Sequence, residues 1–405
     1  MSSGRIKRPL VVFIDYILHK KDQEYYSDDS HILFTQAIQS RFTTSVLCSR
    51  TLSTDVAQGH KVDTETTSVQ ALPYYPSLVS FWKRIWVLLP RTIRRIKSQI
   101  TDESVLWLAW PHPISLVLLL LYGKRNKVFI TVRQNLKALM KVRYTGPTRI
   151  LAIFMVDFLN LVLRLFYKNI LVLTTGREMY RMLNPIMSNV HEVKTPVVSK
   201  GYKQQYVYDN SDEINLLFVG RLEPEKGLKY LVESVALLKR RGLNVKLNIV
   251  GNGAEWDSLQ SQVKEKKLEG VITFHGYLPF GDQLLAHYAS ASYFILPSIS
   301  EGFPKVINEA RAFGLPIITT KCGGVVHEIE HEVNGYFIDK KSPESIVNAV
   351  CHLYKSPELR QKISRNEHAD FDENNMEYHQ ERMLNILKTQ LFLPEEAPFE
   401  VSPSL

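Results

Sequence analysis

The stretch that decides the fold reads LPSISEGFPKVINEARAFGLPII and occupies Leu296–Ile318. An apolar run ends at Leu296, and a polar loop, a helical-period stretch and a second apolar run follow it. This is the strand–helix–strand rhythm of a parallel sheet. The predicted strands of this half are Ile214–Val219, Val245–Val250, Val271–Phe274, Tyr293–Leu296 and Leu315–Thr319, and the predicted helices are Leu228–Leu238, Glu255–Val263, Asp282–Tyr288 and Val306–Phe313. The sequence therefore predicts an α/β fold whose ligands bind at the carboxyl ends of the strands.

The first half shows the same rhythm less regularly. Its candidate strands are Leu10–Ile14, Ser45–Leu47, Val105–Ala109, Lys127–Thr131 and Ile170–Thr174. Gly201 and the polar run from Tyr208 to Glu213 indicate a boundary between the halves, and a further helical stretch covers Glu358–Gln390. We therefore predict a Rossmann-like domain over residues 1–205, a second over 206–370, and a C-terminal helix and tail over 371–405.

Length and composition favour a globular protein of two domains. The chain has 405 residues, which is too long for one ordinary core, and its 45% apolar and 22% charged residues are near globular averages. Its three cysteines, Cys48, Cys322 and Cys351, are widely spaced and predict neither a disulfide framework nor a zinc site. The first 25 residues have no apolar run before a cleavage site, so a cytoplasmic protein is expected.

Charge divides the chain unevenly. Residues 1–200 carry 28 Lys and Arg against 13 Asp and Glu, a net charge of +15, whereas residues 201–405 carry 22 against 28, a net charge of −6. This asymmetry suggests that the first half faces an anionic partner such as phospholipid, nucleic acid or a phosphorylated substrate. A solvated basic surface with no specific partner is the alternative. No stacking platform or helix-turn-helix pattern is present, which argues against nucleic acid.

Two stretches of the first half could contact a membrane. Ser77–Ile100 interleaves tryptophans and leucines with bases, which is typical of an interfacial amphipathic helix that Pro90 would divide. The alternative is an ordinary helix that packs its aromatic residues on its own domain. Ile150–Tyr167 is strongly apolar, but Asp157, Asn160 and Arg164 form one polar stripe. That stripe predicts burial inside a domain rather than a transmembrane helix.

The loop after the strand that ends at Val219 carries cations. Gly220 permits close backbone approach, and Arg221 and Lys226 precede the next helix, so two positive charges and a helix N-terminus predict a pyrophosphate site. Gly251 and Gly253 end the next strand, where they serve either a ligand or a tight turn. Gly276 and Tyr277 follow the third strand at the same edge of the sheet.

Two carboxylates follow Leu296. Glu301 lies in the loop, Pro304 suits the first turn of the helix, and Glu309 lies about a turn and a half further on. Carboxylates placed in this way can accept hydrogen bonds from vicinal hydroxyls of a ligand. The spacing of the two glutamates alone has no specificity. Their position after a buried strand, beyond the loop that carries Arg221 and Lys226, is what supports a ligand site here.

Residues 214–352 resemble the donor domain of retaining glycosyltransferases of family 4, which have the GT-B fold of two Rossmann-like domains facing across a cleft. The segments that carry this resemblance are FVGRLEPEKG, IVGNG, FHGYLP, LPSISEGFPKVINEARAFGLPII and GGVVHEI, in the family's order. The resemblance covers about a third of the chain and implies that the C-terminal helix crosses back to the N-terminal domain. The first 200 residues match only in rhythm.

The resemblance implies roles for individual residues. Arg221 and Lys226 would hold the diphosphate of a nucleotide-sugar donor, and Glu309 would bind the ribose hydroxyls. Glu301, with backbone amides near Gly302 and Phe303, would bind the transferred sugar. Two further members of the same loop, Pro304 and Lys305, complete the predicted substrate-binding set, and the loop from Gly276 would flank the base. No Asp-x-Asp metal site is evident, so neither a metal nor another cofactor is expected.

The first half departs from the family pattern. Members usually carry a glycine-rich loop after the first strand, whereas here no glycine follows Ile14 until Gly59. His112 lies where relatives have a sugar-contacting histidine, with a structural loop histidine as the alternative, and Arg133 is a weaker candidate.

The leading hypothesis is a metal-independent retaining glycosyltransferase on the cytoplasmic membrane face. It would move a sugar, by default from a UDP-sugar, to a lipid-linked or polysaccharide acceptor, and Ser77–Ile100 would bind the anionic membrane. A soluble small-molecule acceptor and a catalytically silent partner subunit are the alternatives.

Overall fold

The computed structural model describes residues 5–55, 59–133, 135–137, 140, 146–204, 212–301 and 304–392. The chain forms two compact units, Met1–Thr195 together with His379–Leu405, and Pro196–Tyr378. The division expected from sequence has its boundaries after residues 205 and 370. Most of the polar run around Tyr208, which was interpreted as the linker, lies outside the described residues.

The first unit is built on one largely parallel sheet. Its strands are β1 (Ile6–Lys21), β2 (Glu24–Ser27), β3 (Phe42–Ser53), β4 (His60–Lys61), β5 (Ser68–Leu72), β6 (Val105–Trp110), β7 (Lys127–Val132), β8 (Leu171–Thr174) and β9 (Val190–Glu192). The parallel strands lie in the order β5-β3-β1-β6-β7-β8-β9; β2 pairs antiparallel with β1, and β4 pairs antiparallel with β2. Its helices are α1 (His31–Gln39), α2 (Leu78–Lys83), α3 (Ile85–Lys97), α4 (Pro113–Tyr122), α5 (Gly146–Phe166) and α6 (Arg177–Leu183).

Strand β1 runs seven residues past the end that the sequence predicts. Residues Leu10–Phe13 pair with β6, and Leu18–Lys21 continue into a hairpin with β2. Tyr16 and Leu18 are buried at alternate positions, which is the pattern of a strand with one covered face. The glycine-poor stretch after Ile14 is therefore an extended strand rather than a loop.

The stretch Ser77–Ile100 forms two helices that separate at Arg84. The Ser77 hydroxyl caps α2 by accepting the Ser80 N–H. The expectation that Pro90 divides the stretch is wrong, since Pro90 lies inside α3. Proline has no N–H to donate to the carbonyl four residues earlier, which belongs to Trp86, an exposed residue near the start of α3. Phe81 and Leu88 are buried in the domain core.

Helix α5 contradicts the burial expected for Ile150–Tyr167. Only a narrow side of the helix is buried, through Val156, Leu159 and Leu163. The Asn160 side chain accepts a hydrogen bond from Trp110 Nε1 at 3.0 Å, so part of the polar stripe faces the domain. Among the described residues, no helix is both long and apolar enough to cross a membrane.

The second unit contains one wholly parallel sheet. Its strands are β10 (Glu213–Val219), β11 (Asn244–Val250), β12 (Ile272–Gly276), β13 (Tyr293–Leu296), β14 (Ile317–Thr320) and β15 (Tyr336–Ile338), in the order β12-β11-β10-β13-β14-β15. This is the doubly wound order in which the winding direction reverses between β10 and β13. The carboxyl ends of these two strands are therefore the expected ligand position.

The first four helices of the second unit lie within two residues of their predicted bounds, whereas the fifth was not predicted from the sequence. The helices are α7 (Leu228–Arg240), α8 (Trp256–Glu265), α9 (Asp282–Ala289), α10 (Val306–Ala312), α11 (Pro343–Lys355) and α12 (Pro357–Asp370). The helical stretch expected over Glu358–Gln390 is interrupted after Asp370, where the Asn374 and Asn375 side chains donate to nearby backbone carbonyls. Such bonds compete with helix continuation.

Helix α13 (Met376–Leu387) begins in the second unit and continues into the first. Arg382 Nε donates to the Glu192 carbonyl oxygen at 3.2 Å, and Lys127 Nζ donates to the Leu391 carbonyl oxygen. The C-terminal segment thus returns to the N-terminal unit, as the resemblance implies.

Candidate functional site

The loop after β10 and the loop after β13 meet at the point where the winding direction reverses. Gly227 closes the first loop with a φ of 71°, and a Cβ on this residue would lie 2.4 Å from the Pro297 carbonyl oxygen. Only glycine permits this approach. Gly227 also precedes α7, so the loop ends at a helix N-terminus, where backbone N–H groups carry partial positive charge.

Lys226 and Glu301 form an ion pair between these two loops. Lys226 Nζ lies 2.6 Å from Glu301 Oε1, and the Ser298 hydroxyl donates to the same oxygen at 2.7 Å. Both side chains are largely buried, at 14% and 6% exposure. Opposite charges that lie 75 positions apart in the sequence are therefore held together at the carboxyl edge of the sheet.

Arg221 lies in the same loop but in solvent. Its side chain is 73% exposed, and its guanidinium is 3.6 Å from the Glu225 carboxylate. An exposed pair at this distance is weak. The guanidinium therefore provides a cation that an incoming anion can engage at little energetic cost.

Glu309 is buried on α10 at 6% exposure. The Tyr288 hydroxyl donates to its Oε2 at 2.7 Å. Burial raises the pKa of Glu309, while the Tyr288 hydrogen bond and the charge of Lys305 act in the opposite direction. The carboxylate is thus oriented by one hydrogen bond and has acceptor positions left for a ligand.

The start of α10 differs slightly from expectation. The helix begins at Val306, so Pro304 lies two residues before it rather than in its first turn, and Lys305 occupies the N-cap position. Gly302 and Phe303, which the resemblance places at the transferred sugar, lie outside the described residues.

The glycines after β11 serve the protein backbone. A Cβ on Gly251 would lie 1.8 Å from the Gly220 carbonyl oxygen, and one on Gly253 would lie 2.5 Å from the Leu222 carbonyl oxygen. These glycines let the two loops pack against each other. Gly276 has a φ of 70° with open space around its Cβ position, and Tyr277 beside it is 52% exposed.

His112, in the first unit, is buried and engaged on both sides of its ring. Its Nδ1 accepts the Ile114 N–H at 3.2 Å and so caps α4. Its Nε2 lies 3.2 Å from the Tyr75 hydroxyl. Burial lowers the pKa of His112 from 6.5 to about 4, although the charge of Asp15 acts to raise it. The imidazole is therefore neutral at pH 7, with its proton on Nε2.

Asp15, Tyr75 and Arg50 complete a network around His112. The Tyr75 hydroxyl donates to Asp15 Oδ1 at 2.6 Å, and Arg50 Nε lies 3.1 Å from the same oxygen. Arg50 also lies over the Tyr75 ring at 4.7 Å. These contacts hold His112 in place inside its own unit, and contact between His112 and a sugar stays a prediction.

Arg133 contacts its own unit as well. Its Nη2 donates to Asp29 Oδ2 at 2.8 Å, and its guanidinium lies 5.7 Å from the centre of the Tyr16 ring. No contact described for Arg133 identifies a ligand.

Sequence reasoning missed the residues that orient these groups. Ser298 lies inside the quoted motif two residues after Leu296, so its position at the strand end was a usable signal. Tyr288 gives no such signal, because an aromatic residue at the end of a predicted helix is most often core. Asp15 directly follows the predicted first strand, which is a place where polar side chains reach a sheet edge.

The family comparison matches the second unit. A family model described as glycosyl transferases group 1 matches residues 203–370. An uncharacterized glycosyltransferase of Methanocaldococcus jannaschii is 35% identical over 159 residues, which cover 39% of this chain and 40% of that protein. A D-inositol 3-phosphate glycosyltransferase of Paenarthrobacter aurescens is 29% identical over 38% of each chain. The amylovoran biosynthesis glycosyltransferase of Erwinia amylovora is 27% identical over 35% of this chain and 36% of its own. The chain thus spans about two fifths of the length of the curated relatives it matches.

Solved structures match over nearly the whole chain. Sucrose-phosphate synthase from Thermosynechococcus elongatus has a TM-score of 0.69 at 17% identity and covers 95% of this chain and 99% of its own. HepE of Anabaena, solved in complex with UDP, has a TM-score of 0.65 at 16% identity and covers 94% and 100%. These likenesses confirm the GT-B fold with two Rossmann-like sheets.

The motifs of the sequence, the doubly wound sheet and the family model all point to the same assignment. Residues 203–370 of this chain are similar to the group 1 glycosyltransferases, whose family model they match.

Proposed function

We propose that this protein is a retaining glycosyltransferase of family 4. It transfers a sugar from a nucleotide-sugar donor, a UDP-sugar by default, to a lipid-linked or surface-polysaccharide acceptor at the cytoplasmic face of the membrane. The observation that carries the proposal is the Lys226–Glu301 pair, which lies where the winding direction of the second sheet reverses. The group 1 family match and the complex of HepE with UDP support it.

The positive groups suit a departing nucleoside diphosphate. Negative charge develops on the phosphate oxygens as the bond to the sugar breaks, and fixed cations near those oxygens lower the barrier. Lys226 is held beside the N-terminus of α7, and Arg221 lies exposed in the same loop. We propose that these groups take the role that a divalent metal has in other transferases.

The carboxylates suit the hydroxyls of the donor. Glu309 accepts from the ribose hydroxyls through the acceptor positions that Tyr288 leaves, and Glu301 accepts from the transferred sugar. Lys226 bridges Glu301 and the diphosphate, because an ammonium has three donors and uses one on the carboxylate. Sugar and leaving group are thereby held by one connected set of charges.

Retention follows from attack on the face that the diphosphate leaves. The bond from the anomeric carbon to the phosphate oxygen breaks, the bond to the acceptor oxygen forms, and the acceptor's proton passes to the departing phosphate. This step requires no protein nucleophile. The basic surface of the first unit, including Arg91, Arg94 and Lys97 of α3, supports an acceptor that is embedded in an anionic membrane.

The donor site is tested by ligand-induced stabilisation. The full chain is titrated with UDP, GDP, ADP and UDP-glucose, with and without EDTA, while its thermal unfolding is followed. A ligand that binds only the folded state at a hundredfold excess over its Kd adds about 2.7 kcal/mol of stability. We expect this shift with one nucleotide, unchanged by EDTA. NMR of the transferred product should show the anomeric configuration of the donor.

Variants assign the shift to the site. Lys226→Ala and Glu309→Ala should both lose it and lose transfer. Lys229→Ala is the matched control, because Lys229 is an exposed cation three residues further on that lies over the Tyr230 ring. If nucleotide stabilises both Lys226→Ala and Glu309→Ala against thermal unfolding as much as the wild type, the assigned donor site is refuted. No shift with any nucleotide in folded protein would favour a silent partner subunit.

A further inference from the structure

The side of α5 that faces solvent is apolar. Five large side chains on it are each between 50% and 69% exposed: Ile150, Phe154, Phe158, Leu161 and Leu165. At 100° per residue they fall within an arc of about 80°, nearly opposite the buried side formed by Val156, Leu159 and Leu163. We call these five residues the outer face of α5. An ordinary surface helix has the reverse arrangement, with its polar residues outward.

The polar residues of α5 lie on its flank. Asp157 accepts from Lys137 Nζ at 2.8 Å, so its charge is balanced within the unit. Asn160 bonds to Trp110, and Arg164 is exposed on the same flank. The helix therefore has one side in the core, one polar flank and one apolar side in solvent. Such a helix suits a surface parallel to its axis, over a length of about 32 Å.

The apolar surface extends to the neighbouring helices. Leu88 of α3, Leu118 of α4 and Leu159 of α5 belong to one core cluster, so the three helices cover the same face of the sheet. Tyr167, directly after α5, donates its hydroxyl to the Leu119 carbonyl oxygen at 3.2 Å. Trp86 on α3 is 90% exposed, and Leu120 and Leu121 on α4 are also exposed. Exposed apolar side chains on helices that cover one face of a sheet are typical of a site of interaction.

The segment that carries these helices is strongly basic. Between Lys83 and Lys168 the sequence has 16 Lys and Arg against three Asp and Glu, and one of those acids, Asp157, is paired. Arg91, Arg94 and Lys97 are exposed on α3. A cavity of about 480 Å³ at the C-terminal end of α5 is lined by Lys124 and Lys168 together with Leu165 and Phe166. Cations beside projecting apolar groups match the boundary between anionic headgroups and acyl chains.

The shape of the outer face favours a lipid surface over a protein. Its side chains project from a convex helix instead of lining a groove, and a fluid bilayer accepts such groups without a complementary surface. Trp86, exposed at the border, has the amphipathic ring that is enriched at membrane–water interfaces.

We propose that the outer face of α5, with the cations of α3 beside it, inserts into the headgroup region of an anionic lipid bilayer with the helix axis parallel to the membrane plane. This inference deepens the membrane part of the proposed function and rests on that part alone. It moves the principal contact from Ser77–Ile100, whose aromatic Phe81 is buried, to a helix that the sequence assigned to the interior.

The test is co-sedimentation of the full chain with vesicles of phosphatidylcholine, with and without 30% phosphatidylglycerol, at low and high salt. Phe154→Gln with Leu165→Gln changes the outer face and keeps helix-forming residues. Leu52→Gln with Val326→Gln is the matched control, because both are exposed apolar residues outside the surface. Arg91→Glu with Arg94→Glu tests the charge. Thermal unfolding and UDP binding are measured on every sample.

The wild type and the control pair should bind the anionic vesicles equally, and more weakly at high salt. The outer-face pair should bind at least tenfold more weakly, and the charge pair should lose its preference for anionic lipid. Equal vesicle binding by the outer-face pair and the wild type would overturn the proposal, as would no binding by the wild type. It would also be overturned by a dimer in sedimentation velocity that the outer-face pair abolishes without any effect of vesicles. If the outer-face pair binds vesicles more weakly but still binds UDP, the loss of vesicle binding does not come from a damaged donor site.

Discussion

The two units place their charged and apolar residues in opposite ways. Among the large apolar side chains that are exposed in the described residues, only Tyr277, Val326 and Tyr378 belong to the second unit, and all the others lie in the first. The second unit instead buries charges, including Glu309, Arg311 and Glu367. A unit that orients titratable groups in its interior suits a small charged ligand, whereas one that exposes apolar groups among cations suits an extended surface.

The largest effect is expected where the second unit buries its charges. Arg311 is 1% exposed; its Nε donates to Glu367 at 2.6 Å and its Nη1 to Glu328 at 2.9 Å. Arg311→Met removes the cation that both carboxylates bind, and breaking a buried pair costs about 3–5 kcal/mol. Urea unfolding should show this loss, and hydrogen exchange should place it in α10 and α12.

The control for Arg311 is an exposed pair in the same unit. Lys246 lies 2.9 Å from Glu213, and the two side chains are 52% and 31% exposed. Lys246→Ala should cost less than about 1 kcal/mol. If Arg311→Met costs no more than Lys246→Ala, buried charge does not stabilise the second unit and the contrast between the units fails.

A smaller effect, with a pH dependence, is expected from the interior of the first unit. The folded protein holds His112 neutral down to a pKa of about 4, while the unfolded chain protonates this histidine near 6.5. The unfolded state therefore binds more protons between these values, and the stability that His112 contributes falls by about 3 kcal/mol as pH decreases from 6.5 to 4.

His112→Asn tests this pH dependence because asparagine can still cap α4 but does not titrate. The free energy of unfolding of the variant, measured in urea at pH 6.5 and 4, should fall less than that of the wild type by about 3 kcal/mol. If the free energy of unfolding depends on pH identically in the variant and the wild type, His112 is not held neutral in the folded protein. His352→Asn removes an exposed imidazole and serves as the control.

Much of the second unit could be predicted from sequence because its strands are short, apolar and separated by glycine and proline. The strand Tyr293–Leu296 has the predicted bounds, and Ile214–Val219 differs by one residue. Lys226 and Glu301 were each assigned to the site from motifs. Their mutual contact was not predicted, because nothing in a linear sequence shows that the loops after β10 and β13 meet.

The first unit was less predictable because its patterns fit more than one packing. The stripe of Asp157, Asn160 and Arg164 fixes which residues share a side of α5 but not which side faces the core. The core contact depends on Trp110, which lies 50 positions away and donates to Asn160. The extension of β1 past Ile14 depends in the same way on pairing with β2.

The smallest effect expected is on donor binding, from a residue that acts through Glu309. Tyr288→Phe removes one hydrogen bond to a buried carboxylate and should raise the KM for the donor about five- to tenfold, with a smaller change in kcat. In the wild type, the hydrogen bond from Tyr288 stabilises the charged form of Glu309. Because the variant lacks this bond, the pKa of Glu309 should rise further in it. The pH below which donor binding weakens should therefore move upward. Tyr293→Phe is the control, since the Tyr293 hydroxyl contacts Arg360 and lies at the start of β13, on the opposite edge of the sheet. An unchanged KM and pH profile in Tyr288→Phe would mean that Tyr288 only fills the core. Lys226 and Glu301 would then be the remaining evidence that the second unit, unlike the first, orients its charged groups for a ligand.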